Sequence, residues 1–181
     1  RDKVRHVGDI IALVVAETYL IARDAADQIE VDLETLEAVT NPYAALDESA
    51  PRIWPEAPGN LAFSFQAGNS EATKISFDNA HHVVKLNLIN NRVCAVPIEP
   101  RAGVGEYSPT TGRYTLTFTG QGLHNIKAEL AHVFGLPLNR FHLKAPDVGG
   151  GFGLKNFIYP EWVLLLWASK KLERPIKWVA E

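Results

Sequence analysis

A mixed α/β fold, α+β in its arrangement, is what this sequence predicts, and three observations carry the prediction. From Tyr114 onward the apolar periodicity alternates strand, helix, strand, helix, strand. A glycine run, Gly149-Gly150-Gly151-Phe152-Gly153, falls between a predicted strand and a predicted helix. The stretch from about Asn41 to Gly68 carries Pro42, Pro51, Pro55, Pro58 and Gly59, which break any regular pattern and place a domain boundary there.

The first elements read as follows. Ile10 to Ala16 is a continuous apolar run of strand length, of the kind buried on both faces. Thr18 is placed to cap a helix reaching about Gln28, with Ile21, Ala25 and Ile29 on one side and Arg23, Asp24 and Asp27 toward water. Ile29 to Glu34 alternates strictly, which predicts a half-exposed strand with its carboxylates outward on an open face. Trp54, Phe63 and Phe65 are expected to pin the proline-rich traverse to its neighbours. After a short polar segment, a strand is expected from His81 through Leu88. Adjacent histidines on a strand point to opposite faces, so His81 and His82 cannot share one metal. Cys94 follows and reads as a small buried hydrophobe.

The second part is more regular. Glu99-Pro100-Arg101 leads into a strand from Ala102 to Tyr107, and an ion pair between Glu99 and Arg101 is expected to fix that corner. The turn cluster Ser108 to Gly112 makes a hairpin with Tyr114, Leu116 and Phe118 at period two. Gly120-Gln121-Gly122 ends this strand. A helix with the stripe Ile126, Leu130, Val133 and Phe134 follows, closed by Gly135-Leu136-Pro137. Then come a strand at Phe141 to Ala145, the glycine loop, an apolar helix opened by Pro160, and a last strand at Pro175 to Val179.

The chain has 181 residues, enough for one large or two small domains with a core. With 46% hydrophobic and 22% charged residues its composition is that of a globular protein, and a net charge of −3 gives no footprint for nucleic acid or an anionic membrane. A single cysteine excludes an internal disulfide framework or a thiolate metal cluster within the chain. No apolar run is long enough for a transmembrane helix, and no secretory h-region follows Arg1. The expected location is cytoplasmic. The sequence contains no Met and is expected to be a segment of a longer polypeptide.

Four glycines in five positions strip the β-carbons from one piece of backbone. Its N–H groups can then approach a bound group closely, at a cost of roughly 1 kcal/mol per glycine relative to alanine in regular structure. The phosphate-loop signature fails because Asn156, not Ser or Thr, follows Lys155. The dinucleotide fingerprint fails because no third glycine stands at its required place. If the strands ending before Gln121 and before the glycine loop are parallel, both loops leave the same rim of the sheet. Gln121 then brings a side-chain amide, donor and acceptor together, to the bare backbone.

Gly120-Gln121, the spacing to Gly149-Gly150-Gly151-Phe152-Gly153, the Glu99-Pro100-Arg101 corner and Val7-Gly8-Asp9 together resemble the molybdopterin-binding large subunit of the molybdenum hydroxylases, the xanthine dehydrogenase, aldehyde oxidase and aerobic carbon monoxide dehydrogenase group. The similarity covers essentially the whole chain. It implies that residues 1–45 end a hammerhead α/β domain, 46–69 form a linker, and 70–181 begin the molybdopterin-binding domain. It implies molybdenum–molybdopterin as cofactor, with the cytosine dinucleotide form as one option, bound by Gln121, Gly150, Gly151, Phe152 and Gly153. Gln121 and Phe152 are then contacts to an oxygen ligand of the metal, not direct metal ligands, and no catalytic residue is expected in this segment.

Asn156 stands where purine-oxidising members carry a substrate-contacting Glu. This leaves aldehyde, heteroaromatic and carbon monoxide substrates open. FAD and 2Fe-2S clusters are expected on other domains or subunits. The expected partners are the remainder of the large subunit and the iron–sulfur and flavin subunits, in a dimer of the full assembly. The segment alone is expected to be inactive. Two other readings stay open: a non-catalytic assembly module of the same fold, and a phosphate- or nucleotide-binding enzyme using the glycine loop.

Overall fold

In a computed structural model that describes residues 3–181, the chain divides into two units, one ending at Asn90 and one running from Asn91 to Glu181. In the first unit, helix α1 (Tyr19–Ala26) begins where the sequence places it, with Thr18 Oγ1 accepting from the Ile21 amide at 3.2 Å. A second helix, α2 (Ser70–Asp78), occupies the short polar segment to which the sequence pattern assigns no element, and Asn69 caps it by accepting from the Ala72 amide. The proline-rich traverse is knotted by Asn60. Its side chain accepts from the Ile53 amide and donates to the carbonyls of Ala45 and Pro51.

Three expectations fail in this unit. Residues 10–16, 29–34 and 81–88 form no strand, and no β-ladder exists among the described residues up to Asn90. Ile11, Leu13, Val31, Leu33, Val84, Leu86 and Leu88 are exposed. An apolar run or an alternation supplies the side-chain pattern of a strand, but the ladder needs a hydrogen-bonding neighbour. Of the three aromatic pins, Trp54 lies under the Arg5 guanidinium at 4.2 Å, whereas Phe63 and Phe65 are each 80% exposed.

The second unit follows its sequence pattern closely. Strands β1 (Ala102–Ser108) and β2 (Arg113–Phe118) form the expected antiparallel hairpin, with Tyr107 opposite Tyr114. Helix α3 (Leu123–Phe134) crosses to β3 (Phe141–Lys144), which pairs in parallel with β2, Tyr114 opposite Phe141. Helix α4 (Pro160–Leu172) returns to β4 (Ile176–Val179), antiparallel to β1. The sheet order is β3-β2-β1-β4. Because β1 opposes both β2 and β4, the three strands β2, β3 and β4 run in one direction. The ends of β2 and β3 therefore share a rim.

Tyr114, Leu116 and Phe118 from β2 and Phe141 from β3 are buried against Ile126 and Leu130 of α3 and against Trp162, Leu165 and Leu166 of α4. On α3 the stripe includes Ala131, while Val133 faces water. On α4 Trp167 is half exposed, so that helix is buried on one side only. Gly135, at φ 61°, ends α3 in the left-handed conformation.

Candidate cofactor-binding site

The two loops that leave the shared rim meet. Gln121, after β2, accepts at Oε1 from the Gly153 amide at 3.1 Å, and its own amide donates to the Lys155 carbonyl at 2.9 Å. Gly151 lies directly against the Gln121 side chain, and a β-carbon there would overlap Gln121 Cδ and Oε1. A backbone N–H can donate only to the amide oxygen, so this bond fixes which end of Gln121 is which. The Nε2 hydrogens have no acceptor among the described residues. The Gly150, Gly151 and Phe152 amides likewise donate to none. The rim thus gathers donors with no matching acceptors, and such a set suits an oxygen-rich or anionic group.

Phe152 sits at the apex with φ 47° and is 76% exposed. A bulky residue held in the left-handed region and offered to solvent is strained and, for its own packing, unrewarded. Asn156 is exposed, and its Oδ1 lies against Gly122, the residue that starts α3.

Glu99 and Arg101 do not pair with each other as expected. The corner sends them apart. Arg101 bonds Glu161 in the first turn of α4 at 3.0 Å and stacks over the Tyr159 ring at 3.8 Å. Glu99 Oε2 accepts from the Gly149 amide at 2.7 Å and from Lys155 Nζ at 2.8 Å. Lys155 is 2% exposed, a buried cation beside a carboxylate. Tyr159 adds a bond from its hydroxyl to the Leu154 carbonyl at 2.5 Å, and burial pushes its phenol upward in pKa. In the sequence, Lys155 signals its role only as a lone cation inside an otherwise glycine and apolar run. Cys94, expected to be buried, is exposed.

The Lys155 ammonium, and then the Gly149 amide, hold the Glu99 carboxyl below its ordinary value of 4.5. A depressed carboxylate stabilises the fold above its unfolded value, and this contribution is lost as pH falls through the folded one. In the intact polypeptide the stability advantage of wild type over Glu99→Gln is therefore expected to be full at neutral pH and to shrink progressively below pH 4.5. Melting the two proteins across an acid series checks this, and a constant difference would refute it.

Residues 53–181 match the family model described as the molybdopterin cofactor-binding domain, and residues 1–37 match the a/b hammerhead domain of aldehyde oxidase and xanthine dehydrogenase. The chain is 36% identical, over its whole length, to the nicotine 6-hydroxylase large subunit of Paenarthrobacter nicotinovorans, covering 22% of that protein. It is 32% identical to the carbon monoxide dehydrogenase large chain of Hydrogenophaga pseudoflava, over 99% of this chain and 24% of that one. A solved Cu,Mo-CO dehydrogenase superposes with a TM-score of 0.80 at 31% identity, over 90% of this chain and 22% of that one. The chain thus spans between a fifth and a quarter of the length of these relatives.

The two family matches define the class, a hammerhead segment followed by a molybdopterin cofactor-binding domain. The chain belongs to the molybdenum hydroxylase family of oxidoreductases, with the large subunits of the xanthine dehydrogenase, aldehyde oxidase and carbon monoxide dehydrogenase group.

Proposed function

We propose that this chain is the part of a molybdenum hydroxylase large subunit that supplies two loops to the cofactor, in an enzyme that oxidises a small carbonyl, heteroaromatic or carbon monoxide-type substrate with water as oxygen source. The observation that carries the reading is the Gln121–Gly153 hydrogen bond, which holds a side-chain amide donor beside the bare Gly150–Phe152 backbone. Among the described residues no group of three or more His, Cys, Asp or Glu side chains could hold a metal. The donor set fits a metal carried by an organic chelator whose oxygens need partners. When bound, such a centre would supply the redox chemistry, with iron–sulfur and flavin groups proposed on other domains or subunits.

The residues of this chain bind and orient. Gln121 Nε2 and the amides of Gly150, Gly151 and Phe152 would donate to oxygens of the cofactor group, and the strained Phe152 backbone would help to hold it. Asn156, at the mouth of the same loop, is proposed to face the substrate. An amide there carries no charge, which favours uncharged carbonyl or heteroaromatic compounds. The domain reading is 1–45 hammerhead, 46–69 linker and 70–181 cofactor domain. The relatives named for nicotine and carbon monoxide support the substrate class without choosing within it.

The test is made on the full-length polypeptide with its companion subunits. Metal analysis is expected to find molybdenum, and Gln121→Leu is expected to lower kcat by roughly two orders of magnitude, the typical loss for one preorganised donor. A molybdenum-free wild type, or a Gln121→Leu enzyme of unchanged kcat, would sink the proposal.

A further inference from the structure

We propose that Glu99 is a positioning residue that clamps the glycine loop at both ends and, through Lys155, sets the place of Gln121. The inference rests on the cofactor-site reading for its consequence in turnover, but its geometry stands by itself. One carboxylate oxygen, Glu99 Oε2, takes the amide hydrogen of Gly149, where the loop begins, at 2.7 Å. The same oxygen takes a proton of Lys155 Nζ, beyond the loop apex, at 2.8 Å. A return bond from the Glu99 amide to the Gly149 carbonyl, at 3.3 Å, closes a two-way tie at the loop entrance. Gly150 to Leu154 are therefore suspended between two points held by one atom.

The tie reaches the second loop through the backbone of Lys155, whose carbonyl accepts from the Gln121 amide at 2.9 Å. Gln121 Oε1 in turn accepts from Gly153. The Lys155 side chain between its ammonium and its backbone is buried, so packing couples the two ends, and loss of the ion pair is expected to loosen the carbonyl that takes the Gln121 amide and with it the register of Gln121 against Gly151 and Gly153. Glycines give this loop no side-chain packing of its own, so an external anchor is what holds it in one conformation. Glu99 lies fifty residues before Gly149 in the chain and belongs to neither loop, which suits it to act through others without touching the bound group.

Two variants of the full-length protein separate the consequences. Glu99→Gln keeps an acceptor for the Gly149 amide but leaves the Lys155 ammonium buried without its counter-charge. Glu99→Gln combined with Lys155→Met removes both charges, and so keeps the test open if the single variant does not fold. Hydrogen exchange is read on peptides covering 149–156 in the protein without and with its cofactor. The expected result is that exchange at Gly153 rises tenfold or more in both variants, while Gly149 keeps most of its protection.

In the loaded enzyme kcat is expected to fall at least tenfold with KM within twofold of wild type, and the Mo(V) resonance of the partly reduced enzyme is expected to shift. Wild-type exchange at Gly153 in either folded variant overturns the clamp. Raised exchange with an unchanged resonance and unchanged kcat also overturns it, because the loop then needs no anchor for function. A wild type that lacks molybdenum but shows the exchange difference instead removes the cofactor reading and leaves the clamp standing.

Discussion

Gly151→Ala in the full-length enzyme is expected to abolish most of its activity, with a loss of about 100-fold or more. The reason is local and steric. The position does not have a positive φ, so alanine meets no left-handed strain there, but its β-carbon would overlap Gln121 Cδ and Oε1. Gln121 cannot yield by swinging freely, because Oε1 is held by Gly153 and its amide by Lys155. Either the side chain leaves the rim or the loop moves away from it. Both outcomes displace the donor by a distance on the order of 1 Å, which in a positioned site is worth about 100-fold.

Gly153→Ala is the informative control. Its φ of +80° makes any β-carbon strained, yet nothing lies within 4 Å of where that carbon would be. Its effect should be conformational, about 1–2 kcal/mol of loop stability, with the Gln121 contact kept. Steady-state kinetics on the two variants, with molybdenum content measured in parallel, separates the cases. Equal losses in both would show that the Gly151–Gln121 contact has no special role.

The contrast between the two units explains what was legible in the sequence. From Ala102 onward each pattern has its complement within the chain. The alternation of Tyr114, Leu116 and Phe118 finds Phe141 beside it and the stripes of α3 and α4 above it, so the strand prediction is satisfied by real neighbours. Residues 10–16, 29–34 and 81–88 carry equally good patterns, and none becomes a strand because none has a ladder partner among the described residues. Periodicity states which face a strand would bury; it does not supply the second strand.

The site was legible to the same extent. Gln121 and the glycine loop were predictable as neighbours from strand direction alone, a consequence of two parallel strands ending at one rim. The partner of Glu99 was not. Proximity in sequence favoured Arg101, two residues away, yet alternate residues on an extended segment need not meet, and the buried Lys155 is 56 residues distant. α2 escaped notice because its apolar content is low, and the cap at Asn69 and the Lys74–Asp78 pair are signals of a helix without a buried side.

Trp162→Ala is expected to be the most destabilising single change in the second unit, by about 3–5 kcal/mol. Trp162 is 1% exposed at the point where α4 crosses the sheet, edge-on to Phe118 at 5.3 Å and to Trp178 at 5.9 Å. Its ring sits on Gly103 of β1, where a β-carbon would come within 2.8 Å of Cζ3. The glycine and the indole are thus one fitted pair, and removing the indole leaves a cavity against Gly103. Phe118 precedes the Gln121 loop by three residues, and Tyr159, also edge-on to Trp162, holds the Leu154 carbonyl at the end of the glycine loop. Loss of the ring should therefore loosen both loops as well as the sheet. In the intact polypeptide the melting midpoint of this unit is expected to fall by on the order of 10 °C, with exchange rising in peptides 118–122 and 150–157 together. A small shift, below about 2 °C, or loosening of the sheet without the loops, would mean that the rim is supported from elsewhere than this core.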